Sequence, residues 1–340
     1  MRFVSLVLML GLVGAARAEP ITIAMVPSVV SGSTLIAQEK GYFRDAGLDV
    51  KIERIDSIGK AVAFLAANHV QVAQGGINAG IFNAIGQGLP VTLAFEGGST
   101  PLYHQIVVRS DLKDKIRTPA DLKGRNVGLS APGSTSMYEL AEVLAHAGLT
   151  LKDVEVKHLA FSQMQAALAN GALDAALQVA PFTQLSIEQK TGVPWIDPEE
   201  GYIRTLPMTS VALIVNTDWA TQNADAARRL FVALARGSRD YCQAYHHGPN
   251  RGEALDILMK HRIATDRGLL DRMDWQARDP NGAFNVASLL SIQAFFKQQG
   301  IIDKTSPAER LIDPRYAAAA AKELGPFEVI NKASTLKGCR

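Results

Sequence analysis

The chain of 340 residues has few cysteines, few aromatic residues and almost no excess of charge. Its two cysteines, Cys242 and Cys339, exclude a zinc site or iron–sulfur cluster held by four thiolates. Lys and Arg number 35 against 33 Asp and Glu, and no stretch is densely basic, so we expect no nucleic-acid partner. A hydrophobic content of 47% excludes a disordered chain, and the length predicts two domains.

The N-terminal segment predicts export. Arg2, an apolar run over residues 3–13 and the small residues of Ala16-Arg17-Ala18 are typical of a signal peptide, residues 1–18, cleaved after Ala18. The run is shorter than the roughly 20 residues that span a membrane. We therefore expect a periplasmic protein. An oxidising compartment permits a disulfide between the two cysteines, and two free thiols are the alternative.

Cleavage at that point also changes the charge. Arg2 and Arg17 lie in the removed segment, which has no acidic residue, so the 35 basic residues fall to 33 against 33 acidic ones. The mature chain then has no net charge. Any preference for an anionic ligand must come from a local arrangement of groups.

Short apolar runs alternate with helical segments along the mature chain. Strands are predicted over residues 20–27, 48–55, 70–73, 91–95, 126–129, 154–159, 174–179 and 211–216. This order predicts an α/β fold with largely parallel sheets. Residues 65–73 and 168–176 share one plan of helix end, tight turn and buried strand, which indicates two similar lobes. The alternative is that such corners look alike in any α/β protein.

Five phrases along the chain carry a family resemblance. They are AQEKGYFRDAGLDV at 37–50, TPADLKGRNV at 118–127, ALANGALDA at 167–175, DPNGAFN at 279–285 and LIDPRY at 311–316. In this order they resemble periplasmic solute-binding proteins of ABC transporters, in the group that binds nitrate, taurine, alkanesulfonates and thiamine-pyrimidine precursors. The chain departs from the family at residues 68–71, where Asn68 replaces a usual glycine. Asn tolerates the left-handed turn expected there.

The resemblance implies an α/β type II periplasmic-binding-protein fold, with two doubly wound lobes joined by two hinge crossovers near residues 108–109 and 212–213. Lobe 1 would comprise residues 19–108 and 213–340, and lobe 2 the inserted residues 109–212. The solute would bind in the cleft between the lobes. Closure would present the complex to an ABC-type membrane permease with its ATPase, and we expect a monomer without a cofactor.

Loops at the carboxyl ends of the strands supply the candidate binding residues, because ligands of open α/β sheets bind there. Gly133, Ser134 and Thr135 precede the longest helix of lobe 2 and offer unpaired N–H groups, hydroxyls and the positive end of a helix dipole. This combination suits a small anionic group, and ordinary N-capping by Ser134 is the alternative. The other candidates are Ser28, Ser31, Gly76, Asn78, Glu96, Pro181, Phe182 and Thr209.

Several of these candidates have an ordinary structural alternative. Asn78 could contact ligand or simply cap a helix. Glu96 is the only acid among these loops and could bind an ammonium or ring N–H, which would disfavour nitrate, or it could be solvated or paired with Lys. Phe182 could stack on a flat ligand or pack in the core. Thr209 is chosen only because it precedes the return crossover.

Catalytic motifs are absent from the sequence. We find no nucleophile elbow, P-loop or dinucleotide fingerprint, and the seven histidines have no metal-ligand spacing, so they are interpreted as surface or internally satisfied residues. Trp195, Trp219 and Trp275 are too dispersed for a sugar platform. The predicted function is capture of a small organic solute, anionic or zwitterionic/heterocyclic, such as a sulfonate, carboxylate or pyrimidine precursor.

Two alternative functions remain open at this stage. One is a periplasmic ligand sensor that docks on a receptor instead of a permease. The other is an enzyme similar to the fungal thiamine-pyrimidine synthase, which uses clustered cysteines and a histidine. The absence of a cysteine cluster disfavours that enzyme.

Overall fold

The structure is a computed structural model that describes residues 19–55, 58–101, 104–195, 203, 206–264 and 266–340. The predicted signal peptide, residues 1–18, lies outside the described residues. The described strands are β1 (Glu19–Met25), β2 (Leu48–Arg54), β3 (Val72–Gly76), β4 (Val91–Ser99), β5 (His104–Arg109), β6 (Asn126–Leu129), β7 (Glu155–His158), β8 (Ala175–Val179), β9 (Gly192–Pro194) and β10 (Thr209–Asn216). They form two sheets of five strands each.

Helices cover both sheets. They are α1 (Gly32–Glu39), α2 (Tyr42–Asp45), α3 (Ile58–Ala66), α4 (Ala79–Gln87), α5 (Thr135–Ala145), α6 (Phe161–Ala169), α7 (Phe182–Glu188), α8 (Thr217–Gln222), α9 (Ala224–Tyr245), α10 (Arg251–Lys260), α11 (Arg267–Arg272), α12 (Val286–Gln298), α13 (Ala308–Leu311) and α14 (Arg315–Leu324). Short 3-10 helices span Val29–Ser31, Ser110–Leu112, Pro119–Leu122 and Leu151–Asp153. None of the described helices is long and apolar enough to cross a bilayer.

Both sheets are mixed. In each of them four strands run in one direction, as the prediction of largely parallel sheets implies, and one strand runs against them. The first has the order β2-β1-β3-β10-β4 and the second the order β7-β6-β8-β5-β9. β10 runs antiparallel to both of its neighbours, and so does β5. β5 and β10 are the first strands after the chain crosses from one sheet to the other. Each of them therefore runs opposite to its neighbours in the new sheet. The two-lobe α/β architecture is confirmed, with one lobe around each sheet.

The predicted lobe boundaries are displaced by almost one strand on each side. β5 pairs with β8 in the second sheet, although residues 104–108 were assigned to lobe 1. β10 pairs with β3 and β4 in the first sheet, although residues 209–212 were assigned to lobe 2. The crossovers therefore lie between β4 and β5 and between β9 and β10. Sequence alone did not show this, because strand pairing with distant partners decides the sheet to which an apolar run belongs.

Hydrogen bonds join the two crossovers to each other. Thr100, just after β4, donates its hydroxyl to the Leu206 carbonyl. The Met208 N–H donates to the Thr100 hydroxyl over 2.8 Å, and the Thr100 N–H donates to the Met208 carbonyl over 3.0 Å. The chain therefore leaves the first lobe and returns to it at a single place.

Helix packing fixes the loop that follows β1. The 22-residue helix α9 crosses α1 so closely that a Cβ at Gly237 would lie 2.3 Å from the Ser33 carbonyl oxygen. Only glycine permits this approach without a shift of backbone.

One apolar cluster continues from the first lobe into the second. In it the rings of Tyr138 in α5 and Phe295 in α12 lie 5.5 Å apart.

One prediction about the backbone is confirmed, and the structure decides between the two states that the sequence left open for the cysteines. Asn68 has a φ of 57°, the left-handed conformation expected where the family usually has glycine. Cys242 of α9 and Cys339 form a disulfide with a Cα–Cα distance of 5.1 Å, so the alternative of two free thiols is wrong.

Candidate functional site

The two lobes touch where a helix begins in each of them. Asn78, which precedes α4, forms an isolated antiparallel bridge with Ser134, which precedes α5. The Ala79 N–H donates to the Gly133 carbonyl over 2.8 Å. Gly133 has a φ of 68°, and a Cβ there would meet the Ala79 side chain at 2.9 Å. The structure thus brings together three predicted site residues from both lobes, Asn78, Gly133 and Ser134.

The start of α5 carries a group of hydroxyls. The Ser134 hydroxyl lies 2.6 Å from that of Ser136 and donates to the Ala131 carbonyl over 2.8 Å. The Ser130 hydroxyl is within 3.3 Å of Ser134 and 3.2 Å of Ser136. Ser134 makes no side-chain cap bond to the helix, so the ordinary capping interpretation is wrong for this residue.

Backbone N–H groups at the same helix start have no acceptor. Thr135 and Ser136 are buried, and their N–H groups form no hydrogen bond within the part of the chain that the structure describes. Such groups at a helix N-terminus carry partial positive charge and favour an anion. Together with the hydroxyls they can hold several oxygens of a sulfonate or carboxylate without a formal positive charge.

Gly76 and Asn78 occupy the corresponding place in the first lobe. The Asn78 side-chain oxygen accepts from the Ile81 N–H over 3.2 Å, and its amide donates to the Gly76 carbonyl over 3.2 Å. The capping interpretation of Asn78 is therefore confirmed. The N–H of Ile77, which lies between these two residues, donates to the Ser210 carbonyl over 2.8 Å.

Hydrogen bonds from the interior of the first lobe hold the loop after β1 in place. Ser28 and Ser31 place their hydroxyls 3.3 Å apart, and that of Ser31 donates to the Val26 carbonyl over 2.6 Å. Arg278 donates to the Val30 carbonyl over 2.6 Å and also to the Ser33 hydroxyl. Sequence reasoning did not find Arg278, since its partners lie more than 240 residues earlier in the chain.

Glu96 lies within β4, not in a loop, because this strand continues to Ser99. It is completely buried, so its interpretation as a solvated or Lys-paired charge is wrong. Its Oε2 accepts from the Asp279 N–H over 2.6 Å. Burial raises the pKa of Glu96 to about 8, although that N–H and the charge of Arg278 act in the opposite direction.

Arg278 is the buried cation of this cluster. Its guanidinium lies 3.7 Å from the centroid of the Tyr241 ring, and burial lowers its pKa, an effect that the charge on Glu96 partly offsets. The pair therefore belongs to the interior of the first lobe, directly beneath the loop that carries Ser28 and Ser31.

The remaining candidates lie at the ends of β8 and β10. Pro181 is the N-cap residue of α7. The ring of Phe182 is half-buried and stacks on that of Phe161 with a centroid distance of 6.0 Å, so its contact with a ligand stays a prediction. Thr209 is the first residue of β10 and belongs to the first sheet. It is fully buried, and its N–H donates to the Ser288 hydroxyl over 3.1 Å, whereas its own hydroxyl has no partner among the described residues.

Two contacts near the cleft escaped sequence reasoning altogether. Nδ1 of His104 lies 2.9 and 2.8 Å from the two carboxylate oxygens of Glu139, a pair separated by 35 residues. Arg272 of α11 forms an ion pair with Glu188 of α7 at 2.6 Å and so connects the two lobes. No spacing in the sequence marks either contact. Within the described ranges, no three His, Cys, Asp or Glu side chains come together as metal ligands.

Comparisons with known proteins agree with this architecture. A family model described as NMT1/THI5 like matches residues 30–245. A Haemophilus influenzae protein named for thiamine biosynthesis is 25% identical over 279 residues, which cover 79% of this chain and 83% of the relative. The taurine-binding periplasmic protein of Escherichia coli is 24% identical over 237 residues, covering 69% and 70%.

Solved structures show the same fold. The periplasmic nitrate-binding protein of Synechocystis PCC 6803 superposes with a TM-score of 0.72 at 16% identity, over 91% of this chain and 89% of the neighbour. At this identity the likeness concerns the fold alone.

Proposed function

The chain belongs to the NMT1/THI5-like family, and from this we propose that it is the solute-binding component of an ABC importer. It captures a small anionic or zwitterionic solute in the cleft between the lobes and delivers it to a membrane permease with its ATPase. The names of the taurine-binding and nitrate-binding proteins support this role. They also support a periplasmic location, and we infer that residues 1–18 are removed on export.

The start of α5 is the observation that carries the proposal. Thr135 and Ser136 offer N–H groups that no described residue accepts from, beside the hydroxyls of Ser130, Ser134 and Ser136. A group with several oxygens can accept from these donors at once, and the helix dipole adds favourable electrostatics. Asn78 and Ala79 of the other lobe contact the same segment, so a ligand bound here is within reach of both lobes.

Several contacts join the two lobes and can form only in the closed state of the protein. The Ala79–Gly133 hydrogen bond, the Arg272–Glu188 ion pair and the Tyr138–Phe295 ring contact are of this kind. Opening would break all of them, with rotation at the two crossovers that meet at Thr100. A solute that contacts both lobes shifts the equilibrium towards the closed form, because it binds that form more tightly.

Binding without chemistry is favoured over the enzymatic alternative. A synthase that depends on clustered thiols needs free cysteines, and both cysteines of this chain form the disulfide. The thiamine-related name of one relative makes pyrimidine precursors reasonable test ligands.

A thermal-shift experiment tests the proposal. The protein is exported with its own N-terminus, and its mass reports whether cleavage follows Ala18. It is then heated with taurine, butanesulfonate, butyrate, nitrate or a hydroxymethylpyrimidine. A ligand at 100 times its Kd stabilises the native state by about 2.7 kcal/mol, so a true solute raises the Tm measurably. If none of these compounds changes the Tm, the proposed function is rejected.

A double variant then locates the binding site. Ser134→Ala with Thr135→Ala removes two hydroxyls at the start of α5, and we expect weaker binding with little change in the Tm of the ligand-free protein. Ser162→Ala, an exposed serine at the start of α6 in the same lobe, is the matched control. Unchanged affinity in the double variant would place the ligand elsewhere.

A further inference from the structure

His104 lies at the cleft end of the second sheet. It is the first residue of β5 and pairs with Val179, the last residue of β8. Parallel pairing of β6 with β8 brings the loop after β6, which leads to Ser134, to the same edge of the sheet. The His104 side chain is 14% exposed, so its ring is largely enclosed but still reaches solvent.

Glu139 fixes one side of this ring. Its side chain is completely buried, and both of its oxygens lie within 2.9 Å of Nδ1 of His104. No other described residue bonds to this carboxyl group. Nε2 of His104 forms no hydrogen bond with the described residues either, so this nitrogen is available to a ligand.

The burial of Glu139 determines what Nε2 offers. A buried carboxylate without a compensating charge is strongly unfavourable. An imidazolium ring compensates the carboxylate fully, whereas a neutral ring that donates its Nδ1–H leaves the pair negatively charged and Nε2 without a proton. In the imidazolium form Nε2 carries the second ring proton and is a donor. When imidazolium and carboxylate form an ion pair, the positively charged ring presents Nε2 on the side that faces away from Glu139.

Helix geometry places this donor beside the start of α5. Thr135 and Glu139 are four residues apart in α5 and therefore lie on one face of it, one turn from each other. The imidazole that contacts Glu139 is thus on the same side of the helix as Thr135, whose N–H has no acceptor in the described chain. A strand and a helix of one lobe contribute two donors to one region.

We propose that His104 is a ligand-binding residue whose Nε2–H donates to an oxyanion oxygen of the solute, a sulfonate or carboxylate, and that Glu139 is the positioning residue for its ring. This inference rests on the proposed function and adds a specific recognition residue to it. It also narrows the ligand to compounds with an acceptor group at the end that enters the second lobe.

Calorimetric titration with taurine, butanesulfonate and butyrate tests the role of His104. Asn in His104→Asn can keep the hydrogen bond to Glu139 but has no atom at the Nε2 position, so we expect binding to weaken about 10- to 100-fold. In His104→Gln the amide nitrogen reaches towards that position, and we expect a smaller loss. His158→Asn, an exposed histidine at the end of β7, is the control and keeps the wild-type affinity.

The outcomes separate the two proposals. If the wild-type chain binds none of these three compounds, the oxyanion ligand is rejected, and the role of His104 with it. If the wild-type chain binds and a folded His104→Asn variant binds within twofold of it, only the inference about His104 is overturned.

A spectroscopic measurement tests the role of Glu139 without any ligand. In the free protein at neutral pH we expect the ¹⁵N signals of His104 to show a protonated Nε2. In Glu139→Gln the ring loses its anionic partner, and the signals should change to those of an imidazole with a single proton shared between two tautomers. A bare Nε2 in the wild-type protein would contradict the assigned donor.

Discussion

The disulfide between Cys242 and Cys339 should contribute strongly to stability. It joins α9 to the C-terminal segment and closes a loop with a sequence separation of 97. The entropy removed from the unfolded chain by a loop of this length corresponds to about 5 kcal/mol at 25 °C. For a chain of this size that free energy lowers the Tm by roughly 5–10 °C when the bond is absent.

The double substitution Cys242→Ala with Cys339→Ala provides the measurement. Alanine is chosen because both positions are buried, and serine would introduce two hydroxyls without assured partners. Calorimetry should show the lowered Tm in the double variant and in the wild-type protein after reduction. Reductant should not change the Tm of the variant.

A different result would show that the loop argument is wrong. If the Tm stays within about 1 °C of wild type, well below the shift expected for this loop, then the C-terminal segment contributes little to the cooperative unfolding. Its other contacts, from Tyr245 to the Lys337 carbonyl and from His246 to the Ser334 hydroxyl, would then hold it in place only locally.

Two further predictions concern ionisable groups. The folded protein keeps the Glu96 proton up to about pH 8, whereas an unfolded chain loses it near 4.5, so stability should fall as pH rises between these values, and Glu96→Gln should remove this slope in denaturant titrations. An equal slope in both proteins would show that Glu96 is ionised in the fold. Arg272→Ala should accelerate ligand release by at most about fivefold in stopped-flow measurements, because the ion pair with Glu188 is exposed. A lower Tm of the free protein with unchanged release would contradict a role in closure.

The sequence predicts the regular elements well. Apolar runs bounded by turn residues located eight of the ten described strands to within a few residues but missed β5 and β9 of the second sheet. Asn78 was identified as the residue that opens α4. The reason is that these features depend on neighbours in the chain. Periodicity and capping are local properties, and the structure retains them.

Features that depend on distant residues could not be predicted in this way. Glu96 looked like a loop acid, because nothing near it in sequence indicates that Arg278 and Asp279 would enclose it. His104 looked like one of several ordinary histidines, because Glu139 meets it only after β5 and α5 have packed. The lobe boundaries failed for the same reason, since the partners of β5 and β10 are far away in the chain.

The hydrogen bonds between Thr100 and Met208 have a consequence for modularity. The two ends of the second lobe emerge from the first lobe side by side, with the Met208 nitrogen 2.8 Å from the Thr100 hydroxyl. The second lobe is therefore an insertion whose two ends lie so close together that a short linker could join them. The second lobe of a relative can be exchanged at this point as one cassette, which would transfer half of a binding specificity while leaving the other half in place.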